Sequence, residues 1–121
     1  MHEYSLVSAL LDQVQRQLMA HPGGEVRRVH VSVGELAGVD PDLFASAFDT
    51  FKEASCCAGA SLLVRRVPAR WVCPRCGHDR PEGSVLRCPE CECPARLEAG
   101  SELVLERLEL EVPPAQTLRL P

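Results

Sequence analysis

Cys73-Pro74-Arg75-Cys76-Gly77 and Cys88-Pro89-Glu90-Cys91-Glu92-Cys93 bound a stretch, residues 73–93, that holds five of the chain's seven cysteines. Eleven residues separate the two C-x-x-C pairs. Four thiolates at this spacing can close a tetrahedron around Zn²⁺, and with no open coordination position such a site is structural. Pro74 and Pro89 stiffen the two turns, and Gly77 suits the left-handed backbone that such a turn needs. The stretch carries almost no large apolar residue, so a metal has to stand in for a core. Cys73, Cys76, Cys88 and Cys91 are the expected ligands, with Cys93 a less favourable alternative to Cys91. Rubredoxin-like iron would use similar ligands. His78, beside the first pair, is read as a solvated loop residue.

On either side of this stretch the pattern is that of an ordinary folded domain. Leu6, Val7, Leu10, Leu11, Val14 and Leu18 recur at helical spacing and predict a helix over residues 5–19, stopped by His21-Pro22-Gly23-Gly24. The first residues are then left as a frayed, mobile terminus. Val29, Val31 and Val33 alternate with polar residues as a half-buried strand does. Asp40-Pro41 reads as an N-cap with proline at the first helical position. The helix it opens has Leu43, Phe44, Ala47, Phe48 and Phe51 as its expected buried stripe. Residues 61–72 are β-like with a break at Pro68. Residues 103–112 alternate again, with Val104, Leu108, Leu110 and Val112 on one parity, until Pro113 and Pro114. Cys56 and Cys57, adjacent after the second helix, chelate one ion poorly as sequence neighbours and read as small buried hydrophobes.

The expected fold is α+β, with two helices packed on a small, about three-stranded sheet and an inserted zinc-ribbon-like module. Residues 1–72 and 94–114 form the α+β domain, residues 73–93 the zinc-binding module, and residues 115–121 a poorly ordered tail. At 121 residues the chain has the length of one domain, and 45% apolar against 25% charged residues is a globular balance. Seven cysteines is an odd count for a disulfide framework. No stretch approaches the length of a membrane span and the N-terminus lacks the basic start of a signal peptide, so a cytoplasmic location without membrane association is expected. The net charge is −4. Between Cys73 and Cys93, Arg75, Arg80 and Arg87 face Asp79, Glu82, Glu90 and Glu92, too little positive charge for phosphate, which disfavours a zinc-ribbon nucleic-acid binder. A rubredoxin-like electron carrier would betray itself by a visible absorption band. No nucleophile triad, phosphate loop or open metal site marks an enzyme, so no catalytic residue is assigned.

Met1-His2-Glu3 carries a second metal chemistry. His2 is too large to permit removal of Met1, so the α-amine of Met1, the amide nitrogen of His2 and its imidazole can close fused chelate rings on one ion. Glu3 adds a further backbone nitrogen or a carboxylate. A deprotonated-amide set favours square-planar Ni²⁺ or Cu²⁺ over zinc.

The order of Met1-His2-Glu3-Tyr4-Ser5-Leu6, the strand end Val33-Gly34-Glu35-Leu36, the helix over residues 44–51 and the C-P-x-C/C-P-x-C module resembles the HypA/HybF family of hydrogenase-maturation nickel chaperones. The resemblance extends to about Val112. It implies a metallochaperone that carries Ni(II) as transient cargo at Met1, His2 and Glu3. It implies structural Zn(II) on Cys73, Cys76, Cys88 and Cys91. It also implies partnership with the nickel GTPase HypB and delivery to the large subunit of [NiFe]-hydrogenase, or to urease accessory proteins in some members. Asp40 lies near the nickel site in some members; here its primary role is read as the helix cap. Cys56, Cys57, Cys93 and the proline-rich tail depart from the family pattern.

Overall fold

In the computed structural model, which describes residues 2–77, 79–80, 87–88, 90 and 92–113, the chain runs α1 (His2–Leu18), β1 (Glu25–Gly34), α2 (Pro41–Phe51), a 3₁₀ turn (Lys52–Ala54), β2 (Ser61–Val67), β3 (Arg70–Val72), β4 (Asp79–Arg80), β5 (Arg96–Ala99) and β6 (Leu103–Glu111). The strands form two three-stranded sheets, ordered β2-β1-β6 and β4-β3-β5. The first is the expected three-stranded sheet. The second belongs to the stretch around the cysteine pairs. Pro68 separates β2 from β3 as the sequence suggests, and the break also moves the chain from one sheet to the other.

β1 and β6 run antiparallel. Arg27 pairs with Glu111 near one end, and the Gly34 amide donates to the Glu102 carbonyl (2.9 Å) at the other. The Glu35 amide donates to the Val67 carbonyl (2.8 Å), so β1 and β2 end side by side and run parallel. The connection between them is a crossover through α2, the unit that parallel strands require. On β6, Glu109 receives His30 Nε2 (2.6 Å) and Arg28 (2.8 Å), and these partners hold its carboxyl at about 2, well below its usual value.

Contacts divide the chain into two compact units, the first comprising Met1–Val31, Asp40–Val64 and Leu105–Pro121, the second Ser32–Val39 and Arg65–Val104. In the first unit, Val7, Leu10 and Val14 of α1 are buried with Val26, Val29 and Val31 of β1 and with Phe44, Ala47 and Phe48 of α2. Each such apolar side chain contributes about 1.5–3 kcal/mol relative to exposure. Two expectations are corrected here. Leu43 and Phe51 are 56% and 46% exposed, so the buried stripe of α2 is narrower than its apolar sequence. Positions 44, 47 and 48 already fill one helical face, and Phe51, in the last turn, instead packs edge-on against Tyr4 with ring centroids 5.3 Å apart. Val104 and Val112, expected on the inward parity, are also exposed, while Leu103 and Leu105 are half-buried. The inward parity of β6 changes between Leu105 and Leu108, because Glu106 and Arg107 both face out. Strict alternation from Leu108 back to Val104 therefore fails.

In the second unit, β3 pairs with β4 through Trp71↔Arg80 and Val72↔Asp79, and with β5 through Trp71↔Leu97 and Val72↔Arg96. The end of β1 enters this unit, and its backbone passes very close to the turn before β6. A Cβ on Gly34 would lie 2.3 Å from the Gly100 carbonyl, and one on Gly100 would lie 2.6 Å from the Ala69 backbone. Beside this contact the Glu35 carboxylate accepts the Ala69 amide (2.7 Å), and the Leu36 amide donates to the Gly100 carbonyl (2.7 Å). Gly34→Ala is therefore expected to destabilise the protein by about 2 kcal/mol, through displaced backbone rather than lost contacts. Urea denaturation of the purified variant measures this, and a change below ~0.5 kcal/mol, the size of a neutral surface substitution, would contradict the close approach.

Candidate metal centres

Among the described residues, the two C-x-x-C segments share two backbone features. In the first, the Gly77 amide donates to the Cys73 carbonyl (2.7 Å), Gly77 has φ 76°, and the Cys76 amide donates to Cys73 Sγ (3.4 Å). In the second, the Glu92 amide donates to the Cys88 carbonyl (2.8 Å) and Glu92 has φ 58°. Each turn closes on its first cysteine four residues later, in the left-handed region. Gly77 meets the requirement at no steric cost, as its sequence position suggests. Glu92 meets it as an L residue, and it is the only non-glycine with positive φ among the described residues. Arg87 donates to the Glu92 carbonyl (2.7 Å) and the Cys88 amide to the Cys93 carbonyl (3.0 Å), which hold the second turn shut.

These turns bring Cys73, Cys76 and Cys88 together, their sulfurs all within 4.8 Å of one another. Cys73 and Cys88 are buried and Cys76 half-buried. Cys76 Sγ and Cys88 Sγ are 3.8 Å apart. A tetrahedral ion with metal–sulfur bonds of ~2.3 Å, the zinc–thiolate value, has an edge of ~3.8 Å. Residues twelve positions apart thus already sit at the separation of two ligands on one ion. The fourth expected ligand, Cys91, lies outside the described residues, as does His78.

At the other expected centre, Glu3 lies in the first turn of α1, and the helix begins at His2 rather than near residue 5. The expected helix start near residue 5 is thus corrected to residue 2. An acidic side chain in the first turn favours this early start by complementing the helix dipole. Glu3 Oε2 accepts the backbone amide of Asp40 (3.2 Å), and that bond holds the Glu3 carboxyl below its usual value. Asp40 has extended backbone (φ −84°, ψ 113°), and its Oδ1 accepts the amides of Asp42 (2.9 Å) and Leu43 (3.3 Å), so it is the N-cap of α2 with Pro41 next. The cap is legible in Asp40-Pro41. The Glu3 contact joins residues 37 apart in sequence, and no local signal announces it. Met1 lies outside the described residues.

With both centres in view, the whole chain can be compared with known proteins. A family model described as "Hydrogenase/urease nickel incorporation, metallochaperone, hypA" matches residues 1–110. The chain belongs to the HypA family. It is 37% identical over 114 residues to a protein of Shewanella baltica named Hydrogenase maturation factor HypA, covering 92% of this chain and 97% of that one. It is 38% identical to the Wolinella succinogenes protein of the same name, covering 92% and 96%. Among solved structures, the solution structure of the Ni metallochaperone HypA from Helicobacter pylori superposes with a TM-score of 0.70 at 30% identity, covering 92% of this chain and 98% of that one. A second, titled "Solution structure of HypA protein", reaches 0.76 at 31%, covering 93% and 98%. Membership of this family favours the metallochaperone reading over nucleic-acid-binding zinc ribbons and rubredoxin-like carriers. Among the described residues, no helix is long and apolar enough to cross a membrane.

The paired turn geometry makes opposite substitutions informative. Gly77→Ala, with open space around its Cβ but φ 76°, is expected to weaken Zn²⁺ retention by about 1 kcal/mol. Glu92→Gly is expected to strengthen it by about 0.5–1 kcal/mol, since it removes the strain of an L residue at positive φ. Competition with a chromophoric chelator reads both, and effects of the same sign would contradict the equivalence of the two turns.

Proposed function

We propose that this protein is a nickel metallochaperone that holds structural Zn(II) in its cysteine module, binds Ni(II) through its first three residues and releases it for maturation of [NiFe]-hydrogenase. The observation that carries this reading is the extent of the family match, which begins at residue 1 and spans both Met1-His2-Glu3 and the two cysteine pairs.

Zinc would be held by Cys73, Cys76, Cys88 and Cys91. Three of these thiols lie within 4.8 Å of one another, and Cys76 and Cys88 stand at the tetrahedral edge length. The shared turn geometry supports Cys91 over Cys93 as the fourth ligand. By position in the sequence, Cys91 is to Cys88 and Glu92 what Cys76 is to Cys73 and Gly77. Bound zinc supplies charge neutralisation and cross-linking, and its binding energy is folding energy for a segment with little apolar surface.

Nickel would be held by the Met1 amine, the amide and imidazole of His2, and the backbone of Glu3. Amides at the start of an α-helix have no carbonyl of the same helix to bond, which favours their use as ligands at residues 2 and 3. The Glu3 carboxylate is engaged by the Asp40 amide, which supports the backbone rather than the side chain of Glu3 as donor. Such a set sheds protons as it binds, so nickel affinity rises with pH and falls with acidification. The chain's own residues thus offer a binding site without a reaction centre, consistent with a role as carrier rather than enzyme. HypB is the proposed source or co-carrier of the ion, the hydrogenase large subunit its destination, with urease maturation a second outlet and the cytoplasm the place of exchange.

His2→Ala is expected to abolish stoichiometric Ni²⁺ binding while zinc content stays unchanged, read by elemental analysis after desalting. Extending the chain by one residue before Met1 should weaken nickel strongly if the amine is a ligand. Full nickel occupancy in either variant would sink the N-terminal assignment.

A further inference from the structure

Cys56 and Cys57 follow the 3₁₀ turn that ends α2, in the first unit and outside the cysteine module. Ser55 shapes this turn twice. Its hydroxyl donates to the Lys52 carbonyl (2.7 Å) and accepts the Cys57 amide (3.0 Å). The Ala60 amide then donates to the Cys57 carbonyl (2.9 Å) and closes the loop. As sequence neighbours, Cys56 and Cys57 are expected to chelate one ion poorly and to serve as packing. This turn makes them converge, and the two sulfurs lie 4.0 Å apart. Cys57 is fully buried, whereas Cys56 is half-buried.

We propose that Cys56 and Cys57 form a third metal site, selective for a soft monovalent ion such as Cu(I). An ion ~2.3 Å from each of two sulfurs 4.0 Å apart subtends an S–metal–S angle of roughly 120°, the angle of three-coordination. The third position would fall to a small exogenous thiol. Softness of the ion follows from the thiols themselves. Burial, then the neighbouring Cys56, push the Cys57 thiol up to about 12. Thiolate donors favour soft ions, and two protein sulfurs fall short of the four ligands that a tetrahedral Zn²⁺ site takes, while loss of this firmly held proton makes uptake increase with pH. Binding is proton exchange without redox change: one M⁺ enters, the S–H bonds of Cys56, Cys57 and the exogenous thiol break, three M–S bonds form and three protons leave to solvent. The three-thiolate product carries two net negative charges. Lys52 lies close enough to favour it, since its ammonium, fixed on the Ala60 carbonyl (2.9 Å) beside the Phe48 ring, already acts to lower the Cys57 thiol.

The site is independent of the nickel and zinc assignments, and its test is run on the full chain loaded with zinc. Anaerobic titration with Cu(I) against a chromophoric Cu(I) chelator, with a small monothiol present, should show one equivalent bound before any zinc is released, with uptake increasing with pH. Cys56→Ser, at the half-exposed position, is expected to weaken that equivalent by more than roughly tenfold with zinc content unchanged. Cys93→Ser should leave it unaltered, and Cys57→Ala, checked for folding by circular dichroism, should repeat the loss. Undiminished Cu(I) uptake by Cys56→Ser, or uptake matched by zinc release from the start, would overturn the proposal.

Discussion

The backbone contact of Gly34 with Gly100 governs how the middle of the chain is threaded. A strand that ends in the sequence Val33-Gly34-Glu35 must pass a turn whose carbonyl leaves no room for a side chain. Ala69 lies against the other side of that turn. Once the backbones are this close, their polar groups have to be satisfied locally, and they are. Glu35 bonds through its amide to Val67 and through its carboxylate to Ala69, while Leu36 and Gly34 bond to the Gly100 and Glu102 carbonyls. Absence of side chains at two positions thus brings the end of β1, the β2–β3 break and the start of β6 together. The short sheet β4-β3-β5, and with it the cysteine pairs, is rooted in that junction.

Beyond the junction, apolar burial gives out. Val72 is the one large aliphatic residue buried near the thiol cluster among the described residues, and Cys73 and Cys88 are buried with it. Order there comes instead from backbone turns of fixed shape. Each turn uses an amide-to-carbonyl bond and a left-handed residue to aim sulfur inward. The second turn achieves with Glu92, an L residue, the positive φ that the first achieves with Gly77. A strained non-glycine backbone position persists only where its surroundings over-determine it, and Arg87 and Cys93 supply that reinforcement here.

Much of this was legible in the sequence because it is local. Helical and strand periods, the Asp40-Pro41 start, the break at Pro68 and the cysteine spacing all act within a few residues. The expectations that failed depended on distant partners. Phe51 has the right period for the core of α2, yet Tyr4 meets it at the surface. Val104 has the right parity for β6, yet two outward residues reset the alternation before it. Residues 2–4 read as a loose end, but Glu3 is held by an amide 37 residues away. Cys56 and Cys57 read as packing, and only the turn made by Ser55 and Lys52 shows their sulfurs converging.

By itself, the sequence determined which elements form and which residue types could hold a metal, since propensity, capping and knuckle spacing are properties of short segments. It also carried the family, because the matching residues occur in one order from Met1 onward. The tertiary structure alone decided which groups meet. It gathered three thiols within 4.8 Å of one another, committed the Glu3 carboxylate to the start of α2, and required glycine at positions 34 and 100. These are separations between segments far apart in the chain, and a linear pattern contains no term for them until the backbone has closed on itself.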